Sequence, residues 1–148
     1  MKRLHAATFS IALCVAWPAM LWAQSSECEN VGARQAWEAR TNPVYADATD
    51  LGRTLSGRGF VVECIRDSKE WHMFTDQKGA AWFKTNQGIF EVWFFPSAED
   101  VDGLQLPTGE QRLVGGPSQF YIRKGNMVFH VMGNKQLALN IQSASLQP

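Results

Sequence analysis

The spacing of apolar positions changes along the chain, and each change marks an element. Val44, Ala48, Leu51 and Leu55 recur every three or four residues, which predicts a helix with one buried stripe. Asn42 and Pro43 supply an N-cap and a first-turn proline for it, and Gly57-Arg58-Gly59 ends it. An earlier helix is predicted from the S-x-x-E capping pattern of Ser26 to Glu29, running on to Ala39. After Gly59 the apolar run Phe60 to Ile65 is β-branched and aromatic and reads as a strand. Trp71 to Thr75, Ala80 to Lys84 and Ile89 to Phe95 read as three more, separated by short polar turns, so an antiparallel meander is expected.

Within Ile89 to Phe95, Phe90, Val92 and Phe94 share one face, and Ile89, Glu91, Trp93 and Phe95 share the other. Neither face is polar, so this strand is expected at the centre of the sheet. Ser97 to Asp100 offers a second capped helix start. Gln105 to Ser118, with its glycines and prolines, is expected to be loop. A hairpin follows, Phe120 to Arg123 and Met127 to Met132, and then a helix capped by Asn134 with Leu137, Ala138 and Ile141 on its apolar side. The tail from Ser143 is expected to fray. The order strand, turn, strand, turn, helix occurs twice, in Ala80 to Leu104 and Phe120 to Ser143, too sparsely matched in residues to assert a duplication. The fold class that results is α+β: an antiparallel meander sheet, N-terminal helices packed on one face, a C-terminal hairpin plus helix, and one disulfide.

The first residues change this picture. Lys2 and Arg3 precede an apolar stretch without acids, ending at Leu21-Trp22-Ala23 before the polar Gln24. That is the layout of a signal peptide, residues 1–23, leaving residues 24–148 as a single domain. The mature part carries twelve basic against fourteen acidic residues, a formal charge of −2. No basic run is left to attract phosphates, so no nucleic acid is expected as partner, and no membrane after leader cleavage. Of the three cysteines, Cys14 lies in the leader, leaving Cys28 and Cys64. An even pair in an exported chain predicts a disulfide worth about 3–4 kcal/mol in the chain-entropy model. A periplasmic or secreted location follows.

Candidate chemistry is sparse. His72 and His130 fall inside predicted strands, with Asp67, Glu70 and Glu91 as candidate neighbours; either histidine would serve a small hydrolase as base only if one of these orients it. No nucleophile elbow, zinc-protease helix or phosphate loop occurs. No metal and no cofactor is expected. The aromatics say more: Trp71, Trp82, Trp93 and Phe95 would form an apolar patch on the sheet face away from the helices, unless the second half of the chain, the C-terminal helix above all, covers it. These features point first to a binding module acting on another extracytoplasmic protein, as inhibitor, immunity or accessory protein. The alternatives are a carrier that holds a small apolar ligand between the sheet and its helices, and the hydrolase.

Overall fold

The computed structural model describes residues 44–68, 74–112 and 114–146. Its elements are α1 (Tyr45–Ser56), β1 (Val62–Asp67), β2 (Gly79–Thr85), β3 (Gly88–Phe94), α2 (Ala98–Asp102), β4 (Glu110–Arg112), β5 (Ser118–Lys124), β6 (Met127–Met132) and α3 (Lys135–Ser143). The six strands form one sheet in the order β1-β2-β3-β6-β5-β4, and every neighbouring pair is antiparallel. Two three-stranded meanders therefore lie side by side, joined through β3 and β6. The expected central place of Ile89 to Phe95 is the place β3 takes.

Local sequence explains most boundaries. The Ser97 hydroxyl accepts from the Asp100 N–H, and the Asp100 carboxylate accepts from the Ser97 N–H at 2.9 Å, a closed capping box that starts α2. Asn134 caps α3 by accepting from Leu137 N–H at 2.9 Å. Gly125 supplies, at φ 56°, the positive angle that a type II′ turn requires at its first central position, which closes the β5–β6 hairpin. Gly52 lets α1 approach β1 closely: a Cβ there would lie 2.6 Å from Ile65 Cδ1.

Alternation gives the sheet two unlike faces. On the first, Ala81, Phe83, Phe90, Val92, Phe94, Phe120, Met127, Phe129 and Val131 form one buried cluster with Ala48, Leu51 and Leu55 of α1 and Leu137, Ala138 and Ile141 of α3. On the second, Ala80, Trp93, Val128 and Phe95 cluster with Val101 of α2, and Phe74, Leu104, Leu106 and Tyr121 pack against them. None of the described helices is long and apolar enough to cross a membrane.

Four expectations change. β1 pairs directly with β2, and Phe74 and Thr75 lie in a turn, so the expected strand Trp71 to Thr75 does not stand between them; Trp71 to Met73 lie outside the described residues. The expected loop Gln105 to Ser118 contains β4, a three-residue edge strand held by pairing with β5. Val44 is the N-cap of α1, with no side-chain cap bond; Asn42 and Pro43 lie outside the described residues. The tail does not fray at once, because Lys124 Nζ donates to Gln142 O at 2.6 Å and Ala144 O at 3.0 Å, and Leu146 is buried. The helix expected from Ser26 to Ala39 lies outside the described residues.

Candidate functional site

Two places in the fold gather chemistry. The first is a row across the second face. The register sets Arg66, Trp82, Glu91, His130 and Tyr121 side by side on β1, β2, β3, β6 and β5. Cross-strand neighbours of this kind are within side-chain reach. Glu91 is 3% exposed, and the His130 side chain 12%. Ser68, just past β1, donates its hydroxyl to Glu91 Oε1 at 2.5 Å. His130 Nδ1 stands 3.7 Å from Glu91 Oε2, beyond hydrogen-bond length. The imidazole stacks on Tyr121, with ring centres 4.9 Å apart and planes 4° apart, and tilts against Trp93 at 5.4 Å. Tyr121 in turn donates its hydroxyl to Gln119 at 2.6 Å, and burial pushes its phenol pKa up.

Burial pushes the Glu91 carboxyl up, but the polar groups of His130, Ser68 and Trp93 that face it outweigh burial and hold it below its ordinary value. Of the three, only Ser68 reaches hydrogen-bond geometry. Among the described residues, Trp93 Nε1 and both ring nitrogens of His130 are buried without a hydrogen-bond partner. A buried base beside a carboxylate has the composition of an acid–base pair. The hydroxyl, however, sits on the carboxylate and not on the imidazole, so the three groups do not form a nucleophile–base–orienter chain.

The second place is a cavity of about 220 Å³ lined by Asp47, Asp50, Leu51 and Thr54 of α1, Phe94 at the end of β3, Asn126 and Met127 at the β5–β6 turn, and Leu146. Its floor is apolar because Phe94 and Met127 pair across β3 and β6 and project from the helix-covered face. Leu146 is brought there by the Lys124 clamp on the chain after α3. Asp47 pairs with Lys78 at 2.5 Å and Asp50 with Arg53 at 2.6 Å.

The residues singled out from sequence are distributed unevenly over these places. Trp93 and Phe95 are 1% and 0% exposed: α2, Leu104 and Leu106 cover them, and Arg123 fastens this cover by donating to Leu104 O at 2.7 Å. They are core, not open surface, and the covering segment is the one after β3 and not the C-terminal helix. Trp82 is half-buried beside Glu91. Trp71, His72 and Cys28 lie outside the described residues, whereas Cys64 is buried on β1. His130 and Glu91 are brought together as sequence allowed. The cavity was not foreseen residue by residue; Asp47, Asp50 and Thr54 on the edge of the α1 stripe were its only sequence signal. Among the described residues no group of His, Cys, Asp and Glu side chains is placed to hold a metal ion. Protein-family models, curated proteins and solved structures offer no match to the chain.

Proposed function

We propose that this chain is an exported binding module that carries a small, largely apolar ligand between α1 and the sheet. The cavity over Leu51, Phe94, Met127 and Leu146 carries this reading. Binding sites are typically concave and apolar with a few polar groups, and this one has that make-up. Removal of residues 1–23, a periplasmic or secreted location and a Cys28–Cys64 bridge belong to the same proposal. The bridge would tie the chain before α1 to β1.

The reading is tested by titrating the exported protein with hexanol while following the NMR signals of Leu51, Phe94, Met127 and Leu146. Saturable one-site shifts at these residues are expected, and their loss in Thr54→Phe, whose ring would fill the mouth from α1. Shifts that never saturate, or that persist unchanged in the variant, would remove the carrier reading.

A protein partner remains the second reading, on one observation. Ile89 and Met132, 53% and 43% exposed, both belong to the second face at the end that α2 does not cover. A pull-down from an extracytoplasmic extract that is lost in Ile89→Lys would favour it. The hydrolase reading is weakened by the burial of both His130 nitrogens.

A further inference from the structure

We infer that the cavity selects a small organic cation, an amine on a short apolar body; this rests on the carrier reading and specifies its ligand. The polar groups around the cavity offer acceptors. Asp47 and Asp50 are carboxylates one turn apart on α1. The hydroxyl proton of Thr54 is committed to Asp50 O at 3.1 Å, leaving its oxygen to accept. Asn126 spends an N–H on Phe95 O at 2.9 Å. Among the described residues, no lysine, arginine or histidine lines the cavity.

The two nearby cations do not reverse this. Lys78 engages Asp47 through Oδ2, and Arg53 engages Asp50 through Oδ1, each from outside the lining. The Arg53–Asp50 pair is largely solvent-accessible, so that bond is weak and exchangeable, whereas the Lys78–Asp47 pair is about two thirds buried and stays made, which leaves Asp50 as the carboxylate that can change partner. Among the described lining residues a carboxylate ligand would meet two carboxylates and no cation. An alcohol would find acceptors but no charge, whereas an ammonium supplies donors and charge together. The floor of Leu51, Phe94, Met127 and Leu146 then takes the apolar body. At about 220 Å³ the cavity is below the roughly 300–1,000 Å³ of drug-sized sites, which sets the body at a short chain or one ring.

The experiment compares hexylamine, hexanol and hexanoate by calorimetric and NMR titration of the exported protein. Hexylamine is expected to bind at one site about fivefold more tightly than hexanol, with hexanoate weakest, a ratio in keeping with partly exposed charge pairs. The preference should shrink at high salt. Asp50→Asn should weaken hexylamine about threefold and leave hexanol unchanged. Hexanol binding as tightly as hexylamine at the same residues would overturn the amine while leaving the carrier reading standing. Saturable binding by none of the three would overturn both. Hexylamine binding that survives in Thr54→Phe would place the amine elsewhere and overturn the inference.

Discussion

On the helix-covered face of the sheet, Phe83 and Phe90 stack with ring centres 5.4 Å apart and Phe90 tilts against Phe129 at 5.9 Å. β2, β3, β5 and β6 contribute buried apolar residues there, and α1 and α3 add Leu, Ile and Ala to the cluster, with Tyr45 packed against it. On the opposite face Trp93 is as deeply buried, but its neighbours include a carboxylate and an imidazole. Three polar atoms on that face, Trp93 Nε1 and both nitrogens of His130, have no hydrogen-bond partner among the described residues. The first face is stabilised by area and packing alone. The second buries groups whose desolvation, among the described residues, only Ser68 offsets through a hydrogen bond. Equal burial therefore does not mean equal stabilisation, and substitutions on the two faces should differ in sign as well as size.

The largest effect is expected on the apolar face. Phe90→Ala removes the ring between Phe83 and Phe129, and should cost about 3–5 kcal/mol in urea unfolding. A cost under about 1 kcal/mol would mean that this face is not the main core.

On the polar face the single and the double substitution should diverge. Glu91→Ala leaves a buried imidazole without its carboxylate and Ser68 without its acceptor, for a loss of about 2–3 kcal/mol. Replacing both partners, Glu91→Met with His130→Leu, removes the desolvation burden and should return stability to the parent value or above it. A double variant weaker than Glu91→Ala would show that the pair is a net stabiliser, and the contrast between the faces would fail.

Much of this contrast was legible in the chain, and the limits are physical. The alternation from Ile89 to Phe95 separates the two faces correctly, and it puts Glu91 among aromatics. Ser97, Asp100 and Asn134 announce their helices because a cap is a local bond. The pairing of Glu91 with His130 is not local. It exists because β6 lies beside β3, and strand order depends on which meander edges meet. What covers Trp93 and Phe95 is equally non-local: Val101 lies in, and Leu104 just after, a short helix whose direction the sequence does not state. β4 escaped because Glu110, Gln111 and Arg112 have no strand propensity of their own. The cavity escaped because it is a gap between residues that each read as ordinary core or rim.

Acid should separate the faces more gently. The folded Glu91 carboxyl is held below its ordinary 4.5, so the folded state binds fewer protons there than the unfolded chain. Its contribution is complete above that ordinary value and is lost as pH falls through the folded value. Stability should therefore decline below about pH 4.5, and Glu91→Gln should flatten the decline. Glu110 is also depressed, by its hydrogen bonds from Ser118 and Arg112, and would add to the same slope. Its pairing with Arg112 lies on an edge strand, so high salt should remove the charge part of its share and spare that of Glu91. A slope that disappears in salt would assign the acid sensitivity to the edge and not to the buried row.

The smallest effect is the most discriminating. Trp93 touches Phe74 at 5.5 Å, His130 at 5.4 Å and Tyr121 at 5.8 Å between ring centres, so its truncation to alanine would cost as much as any core aromatic. Trp93→Phe is different. It keeps a ring in the same place, gives up some volume, and deletes an N–H that is buried without a partner among the described residues. The lost volume destabilises, whereas relief of an unsatisfied donor is worth about 1–3 kcal/mol in the other direction. The two should nearly cancel, leaving a change within about 1 kcal/mol by urea unfolding. A loss well beyond that would mean the indole N–H is engaged, with Glu91 the nearest acceptor by chemistry, and the polar face would then be a satisfied network and not a strained one.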